Sequence, residues 1–243
     1  MSILKDALQY LVSLKDTKVI EINGEQYATE NLVRIPKVYD PTPKASAIGI
    51  QTLTGLVDYI KENVDNLQGP LVVHIVSPTR VSVFSELRAD KARETFIDCT
   101  GWTPHINYGE FMDVEKFNIM IQSCFLPNEA SAAVLRVVGN IVEENVQNTS
   151  DDGVSQKVTA KAGIAKVADI NVPNPVILCP FRTFAEVDQP DSKFVFRMRG
   201  GDGNGVRAAI FEADGGIWRI YAMQNVKQYL AEKLEGCNVK IIS

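Results

Sequence analysis

Arginine and aromatic residues are concentrated in the last third of the chain, where they could bind an anionic group or a second protein surface. Lys193 to Arg199 (KFVFRMR), Val206 to Glu212 (VRAAIFE) and Ile217 to Ala222 (IWRIYA) each alternate with period two. Each segment predicts a β-strand. The glycine-rich stretches between them (GGDGNG and DGG) supply turns, so the pattern predicts a three-stranded meander.

One face of this meander is predicted to carry the arginines. If Phe194, Phe196 and Met198 point into the core, Arg197 and Arg199 share the opposite face, because side chains alternate along a strand. By the same parity, Arg207 with Phe211, or Arg219 with Tyr221, would join them. The candidate residues of this face are Arg197, Arg199, Arg207, Phe211, Arg219 and Tyr221.

Three interpretations of the arginine-bearing face are open. Arginine is common in protein interfaces, so acidic residues of a neighbouring element or subunit could cover it, and this interpretation is preferred. Single-stranded nucleic acid is an alternative, since it is held by phosphate pairing and base stacking on sheets of this kind. The third alternative is a face that is simply exposed to solvent.

Other residues that could do chemistry lack partners at a useful spacing. His74 lies within an apolar strand pattern (LVVHIV), where a packed core histidine is the preferred interpretation. His105 follows Trp102-Thr103-Pro104 and has no Cys or acidic neighbour at ligand spacing. GxSxG, HExxH and P-loop motifs are all missing from the sequence. We therefore predict a protein that is not an enzyme, with no catalytic residue and no cofactor.

Three polar segments invite a binding role but favour a structural one. GGDGNG (residues 200–205) fails the GxGxxG spacing and opens no helix, so a hairpin connection is preferred to a phosphate loop. Asp151-Asp152-Gly153 is interpreted as a turn rather than a metal site. Arg182, in Phe181-Arg182-Thr183-Phe184, could form a buried pair, with Glu186 and Asp188 following it.

Composition places the chain among ordinary globular proteins. Its 243 residues are 45% hydrophobic and 23% charged, with a net charge of −5 that disfavours a general nucleic-acid binder. Residues 193–243 hold eight Lys and Arg against five Asp and Glu, so a local basic patch is still possible. The widely spaced Cys99, Cys124, Cys179 and Cys237 predict reduced thiols of a cytoplasmic protein. Neither a secretion signal nor a membrane-spanning run is recognised.

The elements predict an α+β protein. An N-terminal arm, residues 1–45, has a short helix over residues 3–14 and a hairpin at Asn23-Gly24. Residues 46–107 form an α+β unit with a helix from Thr52 to Asn66. Residues 108–243 contain two helices (Asp113–Phe125 and Glu129–Val146), a largely antiparallel region of six strands ending in the meander, and a C-terminal helix, Val226 to Leu234. Asp113 is available as the N-cap of the first of these helices. The last two regions could share one core.

Several segments resemble the YfdQ-like family of uncharacterised phage and prophage proteins. The resemblance is carried by residues 144–164 (ENVQNTSDDGVSQKVTAKAGI) and 174–199 (NPVILCPFRTFAEVDQPDSKFVFRMR), and residues 52–63 and 71–81 also fit it. The family is a domain of unknown function, so it assigns no catalytic residue. It implies a phage or prophage protein made in the bacterial cytoplasm.

These observations lead to one preferred function and two alternatives. We expect a non-enzymatic phage protein that self-assembles into a symmetric homo-oligomer, since strand edges and the arginine-bearing face need covering. An accessory protein of phage replication or recombination that binds single-stranded nucleic acid is the first alternative. An anti-defence protein that captures a host factor or a nucleotide signal is the second.

Overall fold

The chain divides into two compact units, Met1–Lys44 and Ala45–Ser243. The fold is taken from a computed structural model and is described for residues 5, 7–8, 10, 18–28, 34–35, 44–89, 91–139, 146–151, 155–162, 165–166, 170–200 and 206–243. Most of the predicted helix over residues 3–14 lies outside the described residues, as do residues 201–205 and Asp152-Gly153. The predicted domain limits stay a prediction.

The first unit contains the hairpin that its sequence predicts. Strand β1 (Val19–Ile22) pairs antiparallel with β2 (Glu25–Ala28), and β2 pairs with β3 (Arg34–Ile35). Asn23 and Gly24 connect β1 and β2 with φ values of 54° and 80°. Two successive positive φ angles are typical of the tight turn that an Asn-Gly pair favours, so this prediction is confirmed.

A five-stranded mixed sheet begins the second unit. Its strands, in chain order, are β4 (Ile48–Ile50), β5 (Leu71–Ser77), β6 (Arg80–Ser85), β7 (Thr95–Thr100) and β17 (Val239–Ile242). Their order across the sheet is β17-β5-β6-β7-β4. The two edge strands, β17 and β4, run parallel to their neighbours, and the inner pairs are antiparallel.

Two helices, α1 (Leu53–Lys61) and α4 (Trp218–Lys233), contribute to the core of this mixed sheet. Thr52 caps α1, because its side chain accepts a hydrogen bond from the Gly55 N–H. The helix ends before the predicted Asn66, since the chain turns through a positive φ at Asn63. The main buried residues of the core are Leu53, Leu56, Val73, Ile75, Ile97, Val226 and Leu230.

The predicted third strand of the meander, Ile217 to Ala222, is wrong: Trp218 to Ala222 form the first turns of α4. The residues that α4 buries are Trp218, Ala222, Val226 and Leu230, which recur every four positions as on one helix face. A six-residue window can match the strand period and the helix period by chance. The buried positions that continue along the whole segment identify it as a helix. Gly215 and Gly216, both with positive φ, make the turn that precedes the helix.

The second sheet is fully antiparallel. Its strands are β8 (Met112–Asp113), β9 (Phe125–Leu126), β14 (Val176–Pro180), β15 (Ser192–Gly200) and β16 (Val206–Glu212), in the order β8-β16-β15-β14-β9. Helices α2 (Val114–Cys124) and α3 (Glu129–Gly139) contribute to its core. Asp113 caps α2 as predicted, since its side chain accepts from the Lys116 N–H. The main buried residues are Phe117, Ile121, Val134, Phe194, Phe196 and Ile210.

The remaining strands form a separate antiparallel group. β11 (Ser155–Ala162) pairs with β10 (Val146–Asp151), β12 (Ala165–Lys166) and β13 (Ile170–Pro173). With four helices and this set of sheets among the described residues, the protein has the predicted mixed α+β fold. Within the described ranges, every helix is too short or too polar to cross a bilayer.

Candidate functional site

Strands β15 and β16 place three arginines on one face of the second sheet. In β15, Phe194, Phe196 and Met198 are buried in the core, so Arg197 and Arg199 lie on the opposite face as predicted. Register decides which residues of β16 join them. Arg199 lies directly opposite Arg207, and Val195 lies opposite Phe211. Directly opposed residues share a face, so we call Arg197, Arg199, Arg207 and Phe211 the arginine face.

The other two candidates, Arg219 and Tyr221, do not reach this face by strand parity, because both lie on α4. The guanidinium of Arg219 lies 4.8 Å from the centre of the Trp218 ring. Tyr221 is exposed and lines a cavity of about 500 Å³ together with Asp214, Ser192 and Lys193. The error follows from the wrong strand assignment of Ile217 to Ala222.

A phenylalanine that the sequence did not single out completes the arginine face. Phe111 precedes β8, and β8 pairs with β16. The guanidinium of Arg199 lies 4.1 Å from the Phe111 ring centre, a cation–π distance, and Phe111 meets Phe211 edge to face at 6.0 Å. Both rings are half-buried. Phe111 is remote from β15 in sequence, so only the pairing of β8 with β16 reveals its role.

Two arginines of the arginine face, Arg199 and Arg207, carry charges that no carboxylate in the described part of the chain neutralises. Arg199 and Arg207 are like charges at directly opposite positions, an arrangement that destabilises a sheet. Within the described part of the chain, neither forms an ion pair. Asp113 lies opposite Arg207, but its carboxylate accepts from the Lys116 N–H and pairs with the Lys116 ammonium at 3.3 Å. The face therefore favours an external anionic group.

Arg182 forms the buried pair that its sequence suggested, but with a different partner. Its Nη1 donates to Glu212 Oε1 at 2.7 Å, and its Nη2 donates to the Ser192 hydroxyl. Glu186 and Asp188, which follow it in sequence, are not its partners. Burial lowers the pKa of Arg182, and the nearby Tyr108 hydroxyl and Glu212 carboxylate oppose that shift. Pairing along the strands, which local sequence does not reveal, brings Glu212 to Arg182.

Unpartnered polar atoms belong to the residues around Arg182. The Tyr108 hydroxyl, Arg182 Nε, Asp214 Oδ2 and Trp218 Nε1 are buried without a hydrogen-bond partner. Burial also raises the pKa of Tyr108, so its phenol stays protonated near neutral pH. The Arg182 guanidinium lies against the Tyr108 and Trp218 rings and against Phe194, which β15 points into the core.

Acidic residues line a second surface, which we call the acidic groove: Glu186, Asp188 and Glu232, beside Tyr229. The groove has a volume of about 170 Å³. Glu186 accepts a hydrogen bond from the Thr54 N–H at 3.3 Å, and Glu232 accepts from Gln228. Among the described residues, none of the three carboxylates forms an ion pair. The groove is a concentrated negative surface.

A third surface surrounds Trp102, whose side chain is 79% exposed. It is a groove of about 560 Å³ along the paired strands β4 and β7, which we call the Trp102 groove. The residues that line it are Ala47, Gly49, Ile50, Gln51, Asp98, Thr100, Gly101 and Trp102. Asp98 is held by Arg80 through two hydrogen bonds of 2.8 and 2.7 Å. The sequence pattern gave no indication of this groove, because its residues come from segments about fifty positions apart.

The histidines and cysteines make ordinary packing contacts. His74 is half-buried on β5 and meets the Phe84 ring edge to face at 6.1 Å. All four cysteines are free, and burial raises the pKa of Cys99 to about 12 and that of Cys179 to about 11. In the described ranges, no three or more His, Cys, Asp or Glu side chains are grouped to hold a metal ion.

The chain matches no protein family model, no curated protein and no solved structure. The three surfaces are therefore interpreted from their own geometry.

Proposed function

We propose that the protein is a non-enzymatic homo-oligomer in which the arginine face of one copy binds the acidic groove of another. The observation that carries this proposal is the direct opposition of Arg199 and Arg207, neither of which has an ion pair within the described residues. A carboxylate from a second copy would relieve this repulsion. The acidic groove offers Glu186, Asp188 and Glu232 for that purpose.

Contact between two different surfaces has a consequence for symmetry. A heterologous, head-to-tail interface produces a closed ring when its rotation closes, and a filament when it does not. The symmetric oligomer expected from the sequence would then be a ring. Because exposed charges are screened by salt, this assembly should weaken as ionic strength rises.

Strand edges contribute little to this proposal. The outer strands of the two five-stranded sheets are short, with two residues each in β8 and β9, three in β4 and four in β17. Short edge strands discourage edge-to-edge pairing. A better apolar candidate is β1, all four of whose side chains are exposed although three are Val or Ile. Burial of β1 against another copy would add to the charged contact.

Two features favour a protein partner over nucleic acid. The rings that would stack on bases are already engaged, since Phe111 contacts both the Arg199 guanidinium and Phe211. The net charge of −5 also repels a polyanion at long range. The resemblance of residues 144–164 and 174–199 to the YfdQ-like family supports a phage or prophage origin and a role in the bacterial cytoplasm.

Charge reversal tests the interface. Arg199→Glu and Glu232→Arg should each lower the mass of the assembly, because each puts like charges into contact. An equimolar mixture of the two variants should restore the assembly, since every interface in an alternating ring is again complementary. Light scattering coupled to gel filtration measures these masses.

The control for this experiment is Arg136→Glu. Arg136 is an exposed residue of α3, whose buried residues pack against the sheet face opposite the arginine face, so its reversal should leave the mass unchanged. Masses that respond to neither Arg199→Glu nor Glu232→Arg, or that respond equally to Arg136→Glu, would refute the interface.

Single-stranded nucleic acid is the second candidate for the arginine face, favoured by the grouping of three arginines on one sheet surface. Binding of labelled oligothymidylate should then fall steeply as salt rises, and the Arg197→Ala/Arg199→Ala variant should abolish it. The same variant measured by gel filtration separates the two candidates, since only self-assembly predicts a change of mass without DNA.

A further inference from the structure

Trp102 is the most exposed of the large apolar side chains in the described ranges, at 79%. An exposed indole beside a groove offers a large, flat apolar surface on which a ring can stack. The other tryptophan, Trp218, is buried against two guanidinium groups. The two tryptophans thus occupy opposite kinds of environment.

The position of the Trp102 groove in the sheet suits ligand binding. Strands β4 and β7 run parallel and pair with each other, so Gln51 after β4 and Thr100 to Trp102 at the end of β7 lie at the same edge of the sheet. Gly49 and Asp98 extend the groove along the two strands. The volume of about 560 Å³ is within the range of small-molecule sites.

Hydrogen-bonding groups lie around the indole. The two hydrogen bonds from Arg80 fix the Asp98 carboxylate, and the same contact lowers the pKa of Asp98. Asp98 is therefore an ionised acceptor at neutral pH. Gln51 and Thr100 add an amide and a hydroxyl, each of which can donate and accept. Gly49 leaves open space, since a Cβ there would meet no atom within 4 Å.

The charges of the groove disfavour an anionic ligand, because the Arg80 guanidinium beside Asp98 is already paired with that carboxylate. Its only charged lining residue is Asp98, so no Lys or Arg in the described part of the chain lines the groove to pair with a phosphate or sulfate. Helix α1 begins next to the groove, but the Thr52 hydroxyl and the Glu186 carboxylate already accept from its first N–H groups, at 3.2 and 3.3 Å. These N–H groups at the start of α1 are therefore not free to bind an anionic ligand.

A stacking surface ringed by polar groups, without free positive charge, matches a neutral ring that carries hydroxyl groups. We propose that the Trp102 groove binds a sugar residue of a neutral glycan, with the pyranose ring stacked on the indole. Its hydroxyls donate to Asp98 and exchange hydrogen bonds with Gln51 and Thr100. This site is separate from the arginine face and does not depend on self-assembly.

The test is binding of the full-length protein to an array of neutral, sialylated and sulfated glycans, followed by calorimetry with the neutral glycan that binds best. Trp102→Ala should weaken that binding about tenfold or more, the scale of one aromatic stacking contact plus its buried area. Trp102→Phe, which keeps a ring, should recover part of the affinity. Leu87→Ala is the matched control, because Leu87 is also exposed and apolar but lies outside the groove.

Four results would overturn the proposal. They are no binding to any neutral glycan, binding confined to sialylated or sulfated glycans, neutral-glycan binding that survives Trp102→Ala, and a lower oligomer mass for Trp102→Ala. The last would mean that the indole is a contact between proteins. Thermal unfolding of Trp102→Ala serves as the folding control, and we expect its midpoint to stay unchanged because the side chain is exposed.

Discussion

The guanidinium of Arg182 lies 3.9 Å from the centre of the Trp218 ring. This contact links the two halves of the second unit. Arg182 follows β14 of the antiparallel five-stranded sheet. Trp218 begins α4, whose later residues Val226 and Leu230 lie in the core of the mixed five-stranded sheet. Phe184, two residues after Arg182, is also buried in the core of the mixed sheet. Arg182 therefore helps to fix the arginine face relative to the rest of this unit.

Replacing Arg182 should destabilise the fold strongly. Arg182→Ala leaves Glu212 without its partner and opens space beside Trp218, so we expect a loss of about 3 kcal/mol in the free energy of unfolding. Arg182→Lys should not rescue it, since an ammonium cannot reproduce the planar guanidinium contacts. Urea denaturation measures both.

The matched control is Arg80→Ala, which removes an arginine–carboxylate pair of the same 2.7 Å distance. The Arg80 side chain is 51% exposed and its ion pair is screened by solvent, so its loss should cost much less stability than the loss of Arg182. Equal losses of unfolding free energy for Arg80→Ala and Arg182→Ala would show that burial does not determine how much the Arg182 ion pair stabilises the fold.

Glycine is required at position 101 by close packing. A Cβ at Gly101 would lie 2.8 Å from the Phe184 ring, which is buried in the core. Gly101→Ala should therefore cost about 1–3 kcal/mol of stability. Gly49→Ala, on the other wall of the Trp102 groove, meets no neighbouring atom and should change stability by less than about 0.5 kcal/mol. Thermal unfolding of the two variants in parallel checks the contrast.

The cap of α2 should make stability depend on pH. Hydrogen bonding to the Lys116 N–H, followed by contact with the Lys116 side chain, lowers the pKa of Asp113. A lowered pKa in the folded state means that the contribution is complete above the ordinary carboxyl pKa of about 4 and is lost as pH falls through the folded value. Asp113→Ala should cost about 1 kcal/mol at pH 7 and less at pH 3.

Asp113→Asn is the control for this pH effect. Asparagine also caps helices but does not titrate in this range. Its stability relative to Asp113→Ala should thus be the same at pH 7 and pH 3, as measured by urea denaturation. A wild-type advantage over alanine that does not shrink on acidification would contradict the assigned role of the carboxylate.

The cysteines should differ in reactivity. Burial raises the pKa of Cys99 to about 12 and that of Cys179 to about 11, so the reactive thiolate is scarce near neutral pH. Cys237 is only half-buried. We expect iodoacetamide to modify Cys237 first in the native protein and Cys99, Cys124 and Cys179 only after denaturation. Peptide mass spectrometry identifies the order, and early modification of Cys99 would contradict the buried environment.

Local sequence was sufficient to predict those features that depend on interactions between neighbouring residues. The Asn23-Gly24 turn, the Asp113 cap and the inward phenylalanines of β15 were all predicted, because each depends on a few adjacent residues. The beginning of α4 was not, since six residues could match either a strand or a helix. Only the continuation of the buried stripe to Val226 and Leu230 distinguishes the two.

Features that depend on the pairing of strands could not be predicted from local sequence. The Glu212 partner of Arg182, the contact of Phe111 with Arg199 and the wall of the Trp102 groove each join residues at least thirty positions apart or on different strands. Sequence periodicity gives the face of a residue but not its neighbour on the next strand. The arginine face was therefore predicted in part. Strand parity named Arg197, Arg199, Arg207 and Phe211, whereas the contact with Phe111 and the lack of an ion pair at Arg199 and Arg207 among the described residues appeared only with the register.

The central claim, self-assembly through the arginine face, is tested most directly by the molar mass of the full-length protein at micromolar concentration, measured by light scattering at physiological and then at high salt. We predict a single species whose mass is a whole-number multiple of the monomer mass, with dissociation as salt rises and loss of assembly in Arg199→Glu at both salts. A monomer at physiological salt would contradict the account.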